Sequence, residues 1–303
     1  MNDPKASPKS SDEAPPKARP KAVLVKGTLY VVATPIGNLE DITYRALRVL
    51  AEADIIAAED TRRAKILLSH YKISTPTISY FTGNERSRSE KLLDELREGR
   101  IVALISEAGM PGISDPGSTL IRACAEANIP VDVIPGASAV ACAMVLSALP
   151  TDRYRFFGFL PRKGQKRKEA IEQIRADGDT CVVFESPRRL VKTLAELQQQ
   201  LGNRPAAVIR EMTKLHQQVV RDDLESLHLY FQENDPRGEI TLVIGGAGPE
   251  SQQVDLPQEV SSLVAKGLSS KEIADRLSHL GSKRTIYQLA LAAQTADRGD
   301  ESE

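Results

Sequence analysis

Glu59 and Asp60 stand just before Arg62 and Arg63 in the run AAEDTRR (57–63). A carboxylate close to a substrate can take a proton, and neighbouring guanidiniums can hold a phosphate. The same two acids would also favour the first turn of a helix through its dipole, so capping and catalysis stand side by side as readings of this pair. Glu185 and Lys163 are further candidates for a base. A second stretch, RYRFFGFLPRKGQKRK (153–168), holds seven basic residues and no acid, with Tyr154, Phe156, Phe157 and Phe159 among them. Cations interleaved with ring surfaces suit unpaired RNA. Aromatic residues on a strand are usually core, and that is the expectation for the three phenylalanines. The basic run reads equally as a solvated helix start. Arg162, Lys163, Lys166, Arg167 and Lys168 are the RNA candidates here, joined by Arg62, Arg63, Arg86, Arg88 and Arg188.

Other chemistries find little support. The three cysteines (Cys124, Cys142, Cys181) form no CxxC pair and read as small buried hydrophobes, while the four histidines show no ligand spacing, so no metal is expected. Forty basic against 41 acidic residues predict no partner, so any nucleic-acid affinity must come from a local patch. Residues 1–26, rich in Pro, Lys and Ser without an apolar run, read as a disordered tail and not a signal peptide. No segment has the length of a membrane span, and a reducing cytoplasm is the expected setting.

The elements that must position these groups alternate. Apolar runs at 28–33, 54–58, 77–81, 101–106 and 131–135 read as strands, with helices at 42–53, 64–71, 89–99, 118–127 and 138–148. That predicts an α/β domain over 27–149 with a parallel, helix-covered sheet. Strands at 154–160, 180–185, 206–212 and 238–246, with helices to about 175 and over 188–201, predict a second α/β domain, 150–248, with a mixed sheet. A linker and a small helical region (249–303) follow. In the first domain Gly, Pro and Asn gather after the strands, in TPIGNLED (34–41), TGNERSR (82–88), SEAGMPGISDPG (106–117) and PGAS (135–138). Open α/β sheets bind ligands beyond the carboxyl ends of their strands, and these four loops, with EDTRR (59–63) after the second strand, make five on one edge and point to a site there. The first loop has neither a Gly-Lys-Ser/Thr ending nor the spaced glycines of a dinucleotide fold.

The order VATPIGNLEDIT, AAEDTR, SEAGMPGISDPG, IPGASA, GFLPRKG, FESPRRL, REMTK and GEITLVI, spread over residues 27–248, resembles the ribosomal RNA small subunit methyltransferase I family of the tetrapyrrole-methylase fold group. The resemblance implies two α/β domains with S-adenosylmethionine (SAM) folded in the cleft between them. It implies methylation of the ribose 2′-hydroxyl of a cytidine (1402) in the decoding region of 16S rRNA, within the 30S subunit, by a homodimer. It also implies that the first loop lines the donor site through Pro35, Gly37 and Asn38 and need not hold a phosphate. Ala108, Gly109, Met110, Ile113 and Ser114 would meet the donor largely through backbone groups. Pro135, Gly136 and Ser138 would line the adenosyl side, and Leu160, Phe184, Glu185, Ser186, Gly238 and Ile240 would come from the second domain. The family usually reads SDAGTPG where this chain has Glu107 and Met110, and HQQVV (216–220) replaces an acidic run, so no role is assigned there. Two other readings stay open: a small-molecule methylase acting on a porphyrin precursor, and a non-catalytic nucleic-acid binder. The second would rest on LSSKEIADRLSHLGSKRTIYQLALAA (268–293), which has the pattern of a helix-turn-helix with Gly281 at the turn.

Overall fold

The computed structural model describes residues 23–247, 256–277 and 282–299. By its contacts the chain divides into two compact units, one of 23–34 with 42–136, the other of 35–41 with the chain from 137 onward.

The first unit is a five-stranded, all-parallel sheet. Its strands are β1 (Leu29–Val32), β2 (Ile55–Ala58), β3 (Thr77–Ser79), β4 (Val102–Ile105) and β5 (Val131–Ile134), in the order β3-β2-β4-β1-β5. β1, β2 and β4 are buried at every position, as continuous apolar runs in a helix-covered parallel sheet should be. Successive side chains point to opposite faces. Tyr30, Val32, Ile56 and Ala58 therefore pack with Ala46, Val49, Leu50, Ala64 and Leu68 of helices α1 (Tyr44–Glu52) and α2 (Thr61–His70). Leu29, Val31, Ile55 and Ala57 pack on the other side with Leu92 and Leu96 of α3 (Glu85–Arg97) and with Leu120 and Cys124 of α4 (Ser118–Glu126). Burial pushes the Cys124 thiol up to about 11 and the Cys181 thiol up to about 12, as small apolar packing groups would be.

The second unit carries a mixed sheet of β6 (Tyr154–Phe159), β7 (Thr180–Glu185), β8 (Pro205–Arg210), β9 (Gln218–Asp223) and β10 (Ile240–Ile244), ordered β6-β7-β10-β8-β9. Only β6 and β7 run parallel; the other pairs are antiparallel. Helices α6 (Gln165–Ala176), α7 (Pro187–Leu201) and α8 (Leu224–Glu233) cover one face, burying Ile171, Ile174, Leu190, Leu194, Leu197, Leu227 and Phe231 against Cys181, Val183, Val208 and Leu242.

Two features depart from the sequence reading. Helix α5 (Ala139–Ser147), expected to close the first domain at 149, packs on β8, β9 and β10 of the second sheet. Strand β9 occupies part of the HQQVV region, and α8 follows it; neither was foreseen. The tail forms α9 (Leu256–Ala265), α10 (Ser270–Arg276) and α11 (Lys283–Gly299) around its own core of Val260, Leu263, Ile273, Leu277, Ile286 and Ala290. Ser269 starts α10 with a reciprocal capping box to Glu272. The expected turn at Gly281, the tail 1–22 and most of the Gly/Pro/Gln linker (248–255) lie outside the described residues. Among the described residues no helix is long and apolar enough to cross a membrane.

Candidate active site and nucleic-acid interface

In the first unit, β1 and β4 are neighbours and their exits are tied together. The Thr34 amide donates to the Gly109 carbonyl at 2.9 Å, and the Gly109 amide returns a bond to Thr34 at 3.0 Å. The rest of the 106–117 loop is braced: the Gly112 amide donates to the Pro116 carbonyl, and the Gly117 amide to Glu85 Oε1 at 3.0 Å. Ser114 takes a left-handed φ of 62°. Met110 is half-buried and packs against the core cluster of this unit, so its side chain serves the fold. Ala108 is half-buried and Ile113 is 50% exposed. Pro135 and Gly136 are exposed at the end of β5, and a Cβ on Gly136 would come within 2.9 Å of the Ala33 Cβ. The rim formed by 108–114 and 135–136 therefore offers backbone groups and apolar surface to a ligand.

The acids at the same strand ends separate by environment. Asp60 caps α2, accepting from the Arg62 amide at 2.8 Å and from the Arg62 guanidinium at 2.9 Å. The Arg62 side-chain and backbone bonds hold its pKa down at about 2, which makes it a poor proton acceptor. Glu59 is half-buried and accepts from the Glu107 amide at 3.2 Å. Burial raises its pKa above the ordinary range, opposed by that hydrogen bond and by Arg63 and reinforced by Asp115 and Glu107. Asp115 is raised in the same direction, again chiefly by burial. Arg63 pairs with Glu107 at 3.1 Å and Arg62 with Asp60, so both guanidiniums already have carboxylate partners. Arg86 is exposed and Arg88 half-buried on the first turn of α3.

The opening loop belongs by its contacts to the second unit, where it sits on the REMTK turn. Gly37 lies so close that a Cβ would stand 2.6 Å from the Met212 carbonyl and 2.8 Å from Thr213 Oγ1. The Asn38 amide donates to Thr213 Oγ1 at 3.1 Å, and Asn38 Oδ1 accepts from the Glu40 amide at 3.0 Å. Pro35 is half-buried beside them. Beneath, Lys214 pairs with Glu211 at 2.8 Å and Glu239 at 3.1 Å. Gly238, at φ 80°, leaves the room that the Glu211 carboxylate fills. These two motifs, about 175 residues apart in the chain, are halves of one packed feature, and the sequence reading had given REMTK no role.

At the same end of this sheet, where Glu185 of β7 pairs with Ile240 of β10 and Ile240 in turn with Arg210 of β8, lies a buried polar network that the sequence reading took for surface chemistry. Glu185 is 1% exposed and accepts from the Ser186 amide at 2.7 Å, Thr193 Oγ1 at 2.7 Å and Arg189 Nε at 3.2 Å. Arg167 is 6% exposed and donates to Glu196 at 2.8 Å, to the Pro161 carbonyl at 3.1 Å and to Thr193 Oγ1 at 3.0 Å. Arg189 Nη2 donates to the Leu160 carbonyl at 2.8 Å. Glu185 is therefore not free to act as a base, and Arg167 is not free to meet RNA, because each has its charge compensated inside the fold. The Leu160 and Ile240 side chains are likewise core, leaving only their backbone groups for a ligand. Ser186 is the N-cap of α7, Ser138 the N-cap of α5, and Phe184 is half-buried. Thr193, Arg189 and Glu196 were not singled out; the i,i+4 spacing of Glu185 and Arg189 was the available clue.

The basic run is thinner than its composition. Arg153 pairs with Asp179 at 3.3 Å and Arg155 with Asp177 at 3.1 Å. Arg162, Lys163, Lys166 and Lys168 remain exposed, as does Arg188 on α7.

Residues 28–228 match the family model for Tetrapyrrole (Corrin/Porphyrin) Methylases. Proteins called ribosomal RNA small subunit methyltransferase I are similar over most of the chain. The one from Synechocystis is 46% identical over 272 residues, spanning 88% of this chain and 98% of the relative. That of Haemophilus influenzae is 42% identical over 88% and 97%. Among solved structures, the cobalamin-biosynthetic cobalt precorrin-4 methyltransferase aligns with a TM-score of 0.57 at 19% identity, covering 72% of this chain and 95% of that one. Uroporphyrin-III C-methyltransferase from Thermus thermophilus, solved with S-adenosylhomocysteine, aligns with a TM-score of 0.52 at 21% identity over 72% and 97%. These distant neighbours share the fold. The chain belongs to the tetrapyrrole methylase family and, within it, to the ribosomal RNA small subunit methyltransferase I group.

Proposed function

We propose that this protein transfers a methyl group from SAM to the ribose 2′-hydroxyl of cytidine 1402 in the decoding region of 16S rRNA. The close identity to relatives named as small-subunit rRNA methyltransferases carries the reading. Bound SAM supplies a methyl already activated by the sulfonium charge. The first unit's rim suits such a donor, because SAM has no phosphate and the rim presents backbone and apolar groups at 108–114 and 135–136 where a phosphate loop would place a lysine. Gly136, pressed against Ala33, keeps the backbone open to a flat ligand. The residues' task is then to hold two partners in line and accept one proton. Glu59 is the acceptor this geometry favours: burial raises its pKa, whereas Asp60 is tied to Arg62 and Glu185 is enclosed. Arg162, Lys163, Lys166 and Lys168, exposed and without an ion pair among the described residues, supply charge for the RNA backbone. Work on the assembled 30S subunit, as a homodimer in the cytoplasm, completes the reading.

Purified protein incubated with methyl-labelled SAM and 30S subunits from cells lacking this modification should label the 16S rRNA. Measurable SAM binding without label on either 30S subunits or naked 16S rRNA would overturn the RNA assignment.

A further inference from the structure

Phe159 ends β6, the edge strand of the second sheet, and is 57% exposed although strand aromatics were expected to be core. Its neighbours are half-buried rather than core. Phe157 packs on the inner cluster of the unit, and Phe156 lies edge-on to Phe184 at 4.9 Å. Phe159 is set apart by an irregularity in the β6–β7 register between Phe156 and Phe159, where Gly158 takes a left-handed φ of 62°. An irregularity of this kind re-aims a side chain. Here the ring rests its flank on Phe184 at 5.6 Å and leaves much of its surface to solvent.

The backbone that follows is fixed. The Leu160 carbonyl is held by Arg189 and the Pro161 carbonyl by Arg167, both from the buried network. An exposed ring is thus mounted on a supported aromatic pair and a doubly clamped loop. The next residues, Arg162 and Lys163, are exposed cations that make no ion pair among the described residues. An exposed ring held on fixed backbone, with exposed cations in the residues that follow, presents a flat apolar face next to positive charge. A flat, apolar partner joined to an anionic backbone matches both features, whereas an apolar protein surface would leave the cations unanswered.

We infer that Phe159 is a stacking platform for an unpaired nucleobase of the RNA substrate, with Arg162 and Lys163 taking the adjoining phosphates. Resting on the RNA reading above, this adds the contact that orients the strand. Its clamps, Arg167 and Arg189, are positioning residues that act through the Leu160 and Pro161 carbonyls.

The chain has no tryptophan, so Phe159→Trp introduces a single reporter at the platform. Saturation with oligocytidylate should quench that fluorescence, while inorganic polyphosphate, which brings charge without bases, should leave it unchanged. Phe159→Ala should raise the KM for hypomethylated 30S subunits about tenfold, in line with the contribution of one stacked base, with SAM affinity kept; Phe159→Tyr should restore it. Unchanged KM in Phe159→Ala, with RNA still methylated, would overturn the platform and leave the RNA reading standing. Absence of RNA methylation by the unaltered protein would instead remove the RNA reading. A shift of Phe159→Ala toward monomer in sedimentation, with oligocytidylate binding intact, would assign the ring to a second copy of the chain and overturn the proposal.

Discussion

Replacing Thr193 by valine removes one hydroxyl and little volume. In the folded chain that oxygen donates to Glu185 at 2.7 Å and accepts from Arg167 at 3.0 Å. Both partners are charged and buried, and a hydrogen bond to a charged group is worth about 1.5–3 kcal/mol. Two lost bonds set an upper figure of about 6 kcal/mol on that scale. Glu185 keeps the Ser186 amide and Arg189, and Arg167 keeps Glu196 and the Pro161 carbonyl. The expected loss is therefore nearer the lower end, about 3 kcal/mol. Urea unfolding of the full chain followed by far-ultraviolet circular dichroism measures it, and amide exchange over 160–164 should rise in Thr193→Val. Thr193→Ser keeps the hydroxyl and loses one methyl, so it should cost only about 1 kcal/mol. A Thr193→Val chain within about 0.5 kcal/mol of the parent, or a serine variant less stable than the valine one, would refute the network's role.

Gly37→Ala should lift the 35–41 loop off the REMTK turn, because the Met212 carbonyl in the new methyl's path is backbone and cannot swing aside. A stability loss of about 1–3 kcal/mol with weakened methyl transfer is expected, read by thermal melting and initial rates. Removing Arg162 and Lys163 together should weaken binding to 30S subunits and lower the salt slope of log affinity by about 0.7 per cation. Arg153→Ala should change that slope much less, since Asp179 already neutralises the guanidinium. Asp60 has a folded pKa below its unfolded value, so its stabilising contribution is present above the unfolded pKa of 3.8 and is lost as pH falls toward about 2. Asp60→Ala should accordingly be less stable than the parent at pH 7, with the gap closing through that window in pH-dependent melts, and should keep methyl transfer at a temperature where both are folded.

The alternation of the first unit was legible because β1, β2 and β4 are buried on both faces and therefore read as unbroken apolar runs. Strand β9 was not, because QVVRDD lies half-exposed on a sheet edge and carries the polar composition of a loop. Helix α5, with the sequence AVACAMVLS, is apolar around its whole circumference and gives no face from which its sheet could be told. At the site, the strand-end loops were legible from their Gly and Pro content. The states of the charged residues were not: Arg167 reads as one more cation in a basic run, and only Glu196 and Thr193, brought from α7 by tertiary packing, bury it. Glu185 is hidden for the same reason. Phe159 erred in the opposite direction, since the irregularity that exposes it depends on its pairing with β7 and leaves only Gly158 as a trace.

The measurement closest to the central claim is the position and chemistry of the transferred methyl. Hypomethylated 30S subunits labelled by the protein and SAM would be digested to nucleosides, and the modified site mapped on the intact 16S rRNA. A single 2′-O-methylated cytidine at position 1402, with its yield falling sharply in Glu59→Gln, is the predicted result. Label on a base carbon or nitrogen, on another ribose, or only on a small tetrapyrrole offered in place of RNA would contradict the account.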